Sequence, residues 1–149
     1  MKKLILTVLL AIGLLAANAQ YKNSLGLAFG KPSGISFKTF LSTDKALDFT
    51  LGIWSDYFLV SGMYEIHAPM ADQFKWYYGP GAHVGSWSDS HGGGALLGVD
   101  GVVGIEFKPS IPIAFSLDFR PGINLIGNEW DNENHWLFLQ SQFAIRYTF

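Results

Sequence analysis

From Tyr21 to Phe149, apolar and polar residues alternate with a period of two, and turn-forming residues interrupt the pattern at short intervals. In residues 113–125, Ile113, Phe115, Leu117, Phe119, Ile123 and Leu125 share one parity, while Ala114, Ser116, Asp118, Arg120, Gly122 and Asn124 share the other. In residues 136–149, Leu137, Leu139, Phe143, Ile145, Tyr147 and Phe149 oppose Gln140, Gln142, Ala144, Arg146 and Thr148. A strand sends successive side chains to opposite faces, and no helical spacing sorts these residues so cleanly. The same alternation predicts strands over 21–30, 35–41, 47–53, 58–66, 74–86 and 96–107, with turns at 31–34, 42–44, 54–56, 68–73 and 108–112. Residues 87–95 and 127–135 read as loops, and Pro80, which has no N–H to give a ladder, predicts a bulge or bend. Eight strands in antiparallel succession bring both ends of the chain to one side. A last strand that runs to the final residue suits barrel closure better than an open edge, whose unpaired backbone is a liability.

The environment follows from what each face carries. A soluble, lipocalin-like barrel also alternates, with its apolar face inward. Here the less apolar parity is largely Gly, Ala, Ser, Asn and Gln, the small residues that a crowded lumen accepts. It also carries Lys38, Asp48, Glu65, Lys75, Asp100, Glu106, Asp118, Arg120 and Arg146, whereas the apolar parity carries no charge. Lipid around the apolar face explains the split, because Arg or Lys at the bilayer midplane costs about 2–4 kcal/mol. Charged residues make up 15% of the chain, against roughly 25% in ordinary soluble domains, and aromatic residues another 15%. The expected fold is therefore an all-β, eight-stranded antiparallel up-and-down transmembrane β-barrel. Tyr64, Trp76, Tyr78, Phe107, Tyr147 and Phe149 are expected near the periplasmic rim as an aromatic girdle.

The first residues supply a compartment. Lys2 and Lys3 precede an apolar run that closes with Ala17-Asn18-Ala19, the pattern of a secretory signal peptide over 1–19, leaving residues 20–149 as one barrel domain. The alternative, a retained anchor, needs a longer run, of about 20 residues. Removing two lysines with the signal takes the net charge from −2 to −4, a mild acidic balance that argues against nucleic acid as a partner. The absence of cysteine excludes disulfides, thiolate catalysis and lipoprotein processing.

Counting outward from each turn pairs the inward charges. Lys38 falls opposite Asp48, Glu65 opposite Lys75 and Asp100 opposite Arg120, while Arg146 falls near Ser116 and Asp118, within reach of Glu106. A network of lumen ion pairs is the expectation. Candidate chemistry is sparser. Ser86-Trp87-Ser88-Asp89-Ser90-His91 gathers hydroxyl, carboxylate and imidazole in one expected loop, but such a set works only when the base reaches the nucleophile. His67, His83, His91 and His135 lack metal-ligand spacing, and Gly92-Gly93-Gly94 is not followed by a helix that would make it a phosphate loop. Asp89, Glu129, Asp131 and Glu133 read as solvated loop charges. No catalytic residue, cofactor or metal is expected.

Trp76-Tyr77-Tyr78-Gly79-Pro80-Gly81-Ala82-His83-Val84-Gly85, the segments 98–106 and 111–121, and the Arg146-Tyr147-Thr148-Phe149 ending resemble the small outer-membrane β-barrel proteins of the Bacteroidota. The resemblance is close in the second half of the chain and extends to the first half in pattern alone. It implies an outer-membrane location and an eight-stranded, OmpA-like barrel, and it brings no catalytic residues. The expected role is structural or binding, for a monomer surrounded by outer-membrane lipid. Phe149 resembles the terminal signal read by the barrel-assembly machinery. Two alternatives stay open: binding or passage of small hydrophobic ligands through space left by Gly26, Gly79, Gly81, Gly85, Gly98 and Gly104, and lipid-modifying catalysis.

Overall fold

A computed structural model describes residues 21–127 and 137–149. The strands are β1 (Asn23–Lys31), β2 (Ser33–Phe40), β3 (Lys45–Trp54), β4 (Tyr57–Ala71), β5 (Phe74–Asp89), β6 (Gly92–Phe107), β7 (Ile113–Ile126) and β8 (Leu137–Thr148). Each pairs antiparallel with the next, and β8 closes on β1 to complete a barrel. Closure extends to the last residue, since the Phe149 N–H donates to the Asn23 carbonyl at 2.8 Å and the Asn23 N–H donates back at 3.0 Å. The expected signal peptide lies outside the described residues, as does the 127–135 loop apart from Gly127.

The apolar parity points outward on every strand. Leu27, Ile53 and Leu117 are more than half exposed, while Lys38, Asp48, Glu65, Arg120 and Arg146 on the other parity are fully buried. The eight-stranded interior is just wide enough for side chains to fill it. The start of β1, the end of β8 and the β2–β3, β4–β5 and β6–β7 connections lie at one end of the barrel, called here the terminal end.

The expected loop at 87–95 is not a loop. β5 and β6 pair without interruption out to Asp89↔Gly92, leaving Ser90 and His91 as the turn. The Asp89 carboxylate closes it by accepting the backbone N–H groups of His91 at 2.7 Å and Gly92 at 3.0 Å. The glycines that read as loop composition make room instead, because a Cβ at Gly94 would meet the Trp87 indole at 2.9 Å. The Pro80 expectation also changes form. The β4–β5 ladder stops at Met63↔Gly81 and resumes at Ile66↔Tyr78, and the β6–β7 ladder stops at Asp100↔Gly122 and resumes at Val103↔Phe119. Pro80 and Pro121 sit in these two gaps, where the missing N–H interrupts pairing. The register shifts lie elsewhere, at Pro69/Ala71 and Leu97/Gly98.

Two glycines on β6 predict opposite outcomes. A Cβ at Gly101, outward, has nothing closer than 3.9 Å, so Gly101→Ala should stabilise the barrel by about 0.5–1 kcal/mol through backbone entropy. A Cβ at Gly104, inward, would lie 2.6 Å from Asp118 Cβ and overlap the Tyr77 ring, so Gly104→Ala should cost about 1–3 kcal/mol. Urea titration of the refolded chains checks both. Equal midpoints for the two variants would show that the lumen is looser than described.

Candidate functional site: the filled lumen

The lumen is built from the inward residues of all eight strands, and its middle is an ion network. Asp48 on β3 is the hub. Its Oδ2 accepts from Arg146 Nη2 of β8 at 2.6 Å, with Lys38 Nζ 3.7 Å away, and its Oδ1 lies 3.7 Å from Arg120 Nη2 of β7. Lys38 makes its shorter contacts to Glu65 Oε2 at 2.8 Å and Glu106 Oε2 at 3.1 Å, and its ammonium lies 4.4 Å from the centre of the Tyr77 ring. Asp118 accepts from Arg120 Nε at 2.8 Å and from the Tyr77 hydroxyl at 2.7 Å. Arg146 also donates to Ser36 at 2.8 Å and Ser116 at 2.6 Å.

These contacts redistribute the expected pairs. Lys38 and Asp48 are opposite in register, and Arg146 reaches Ser116. Glu65 and Lys75 are not partners: β4 continues to Ala71, the turn is Asp72-Gln73, and Lys75 falls opposite Pro69. Glu65 instead takes Lys38 and His67 Nε2, each at 2.8 Å. Asp100 and Arg120 are not partners either, since Asp100 falls opposite Gly122. Both its oxygens lie 2.9 Å from His83 Nδ1, and Arg120 turns to Asp118 and Asp48. Glu106 serves Lys38 and the Tyr21 hydroxyl rather than Arg146. Burial and the neighbouring Glu106 charge push the Tyr21 phenol up, so it stays protonated and acts as the donor.

The two ends of the lumen differ. At the terminal end, Phe40 packs edge-on against Tyr21 with ring centres 5.2 Å apart and against His67 at 4.9 Å, capping the network. At the opposite end the lumen is apolar: Leu59 and Leu96 are buried together, with Trp54, Tyr57 and Trp87 packed around them. Sequence reasoning missed this plug, although Leu59 and Leu96, two large apolar residues on the polar parity, were the signal. The chain matches no protein-family model, no curated protein and no solved structure.

The inward glycines do not leave open space. A Cβ at Gly26 or Gly79 would strike the backbone of the neighbouring strand, one at Gly81 the Met63 sulfur, one at Gly85 the Phe58 carbonyl, and one at Gly98 the His83 ring. Their missing side chains are what lets the neighbours close in. Among the described residues, neither the 86–91 hairpin nor the lumen joins serine, histidine and carboxylate into one relay. In the hairpin, Ser90 lies 3.1 Å from His91 Nδ1, but Asp89 spends its carboxylate on backbone N–H groups and orients no imidazole. In the lumen, Ser61, His83 and Asp100 lie on adjacent strands, with Ser61 opposite His83. His83 aims Nε2 at Asn124 Oδ1, 2.8 Å away, and the buried Ser61 hydroxyl has no hydrogen-bond partner among the described residues. The imidazole clamps β6 to β7. Among the described residues no cluster of His, Asp and Glu is placed to hold a metal ion.

Proposed function

We propose that this chain is a small outer-membrane β-barrel of the kind found in the Bacteroidota, with a structural or binding role and no enzyme activity. The observation that carries the reading is the outward surface. Around the whole closed sheet it presents Leu, Ile, Val and Phe side chains, while Lys38, Asp48, Glu65, Glu106, Asp118, Arg120 and Arg146 turn inward and pair. Exposed apolar patches on soluble monomers reach about 300–600 Å², and a belt around an entire barrel has no such explanation outside lipid. The Lys2-Lys3 and Ala17-Asn18-Ala19 pattern supports export with a cleaved signal, and Phe149, pinned in the closing ladder, supports recognition by the assembly machinery. Its partners on this reading are outer-membrane lipid and that machinery, and it acts as a monomer. The filled lumen and occupied glycine positions disfavour passage of hydrophobic ligands, and the lack of a completed serine, histidine and carboxylate relay among the described residues disfavours catalysis.

Fractionation tests the reading. The chain should be recovered in the outer membrane, should resist extraction by salt or carbonate, and should migrate differently on a gel before and after heating. Recovery as a soluble periplasmic protein would replace the membrane barrel with a soluble one.

A further inference from the structure

The rim at the terminal end holds a pocket of about 270 Å³ whose polar lining is Tyr21, Asp72, Gln73, Lys75, Glu106 and Lys108. Its charges are unusual in being available. Lys75 and Glu106 are direct cross-strand partners, an arrangement that normally gives an ion pair. Glu106 is already committed on both oxygens, to the Tyr21 hydroxyl and to Lys38 Nζ. Among the described residues Lys75 has no carboxylate within ion-pair distance, and its ammonium contacts only the Phe40 ring face, 5.8 Å from the centre. Lys108, just after β6, donates to the Pro109 and Ile111 carbonyls at 3.0 and 2.7 Å and lies 5.8 Å from the centre of the Tyr21 ring; among the described residues no carboxylate is within ion-pair distance of it. Burial pushes that ammonium below its ordinary range, a cost that a bound anion relieves. Asp72 and Gln73, which also line the pocket, form the two-residue β4–β5 turn; the Gln73 carbonyl accepts the Lys108 backbone N–H at 2.9 Å, and Asp72 makes no ion pair among the described residues.

Two ammonium groups and a carboxylate, none of them in an ion pair among the described residues, line one pocket together with the Gln73 amide, and they suit neither a simple anion nor a simple cation. A simple anion meets Asp72, and a simple cation meets both lysines. A group carrying both charges a few bonds apart satisfies both signs. The volume, just below the roughly 300–1,000 Å³ of drug-sized ligand sites, suits a group of that size. Phe74 lines the same pocket, faces outward and stacks on Phe107 at 4.7 Å, which lies 6.1 Å from Phe115; the three are cross-strand partners, so an apolar track across β5, β6 and β7 on the outer face begins where the pocket ends. We propose that this pocket binds a phosphoethanolamine group, its phosphate on Lys75 and Lys108 and its ammonium on Asp72 and Gln73. The apolar track favours the headgroup of a phospholipid as the source. That source rests on the membrane reading, whereas binding of the free group does not.

The test uses the full chain, titrated by ³¹P NMR with O-phosphoethanolamine, inorganic phosphate and phosphocholine. A second arm places it in nanodiscs of phosphatidylethanolamine or phosphatidylglycerol. The wild type should prefer phosphoethanolamine over the other two soluble probes. Lys75→Met should weaken it about tenfold, the loss expected for one charge-assisted hydrogen bond. Asp72→Asn should erase the preference over inorganic phosphate without weakening phosphate binding, and Lys45→Met, an exposed lysine at the same end, should change nothing. Lys108→Met also loosens its turn, so Lys75→Met and Asp72→Asn decide the matter. Saturable binding of the free group without a preference between the two nanodiscs supports the site and overturns the lipid source. No saturable binding to a chain shown to be folded by its circular dichroism, or binding indifferent to both deciding variants, overturns the site.

Discussion

Asp48→Ala should be the most damaging single substitution in the lumen. Its carboxylate is fully buried and faces Arg146 at 2.6 Å and Arg120 and Lys38 at 3.7 Å. Truncation leaves these buried cations without their common counter-charge. Lys38 retains Glu65 and Glu106, and Arg120 retains Asp118, but Arg146 keeps only hydroxyl partners among its short contacts. Removing one partner of a buried pair typically costs about 3–5 kcal/mol, a large share of the roughly 5–15 kcal/mol that holds a domain together. A urea titration of the refolded chain should show a lower midpoint with an unchanged slope. Asp48→Asn, which keeps an acceptor and loses the charge, should fall between the two. The double variant Asp48→Ala, Arg146→Ala should lose less than the sum of the single losses. A midpoint within error of the wild type for Asp48→Ala would mean that the central charges are solvated rather than paired.

Arg120→Ala should cost nearly as much, and its couplings separate the observed network from the simpler one expected by counting. Arg120 is fully buried and donates Nε to Asp118 at 2.8 Å, Nη2 to the same carboxylate at 3.2 Å and Nη1 to Thr50 at 3.3 Å. Its loss strands Asp118, which keeps the Tyr77 hydroxyl as a donor. The expected penalty is again about 3–5 kcal/mol. A double-mutant cycle with Asp118→Ala should show strong sub-additivity, of about 1 kcal/mol or more. The cycle with Asp100→Ala should be additive to within about 0.5 kcal/mol, because Asp100 is held by His83 and, among the described residues, shares no partner with Arg120. Strong coupling to Asp100 and none to Asp118 would restore the pairing that the structure replaces.

These cycles mark where sequence reading stopped. Each strand's inward and outward faces follow from alternation alone, and a misplaced turn need not disturb them. The β4–β5 turn lies at Asp72-Gln73 rather than centred within 68–73, which moves the pairing by an even number of positions. An even slip keeps every side chain on its face and changes every partner. Glu65 and Lys75 stayed inward for that reason and lost each other. The β6–β7 register slips in the same way, and Asp100 and Arg120 part. Contacts across the lumen, such as Arg146 to Asp48 or Lys38 to Glu106, depend on how strand tilt and stagger stack the layers of a closed sheet. No local pattern records that stacking. The 87–95 segment shows the opposite limit, where Gly and Ser composition signals a loop although the residues are ordered by Asp89 and by the room Gly94 gives Trp87.

The reciprocal hydrogen bonds between Asn23 and Phe149 leave the sheet without a geometric beginning. Joining the two ends by a short linker and opening the chain between Ser90 and His91, an exposed tight turn, would preserve every ladder while moving the termini to the far rim. Such a circular permutant would still carry the Phe149 ring against Tyr147, at 6.2 Å, now inside the continuous chain. It would separate the closing of the sheet, which the β1–β8 ladder performs in space, from the order in which the strands are made.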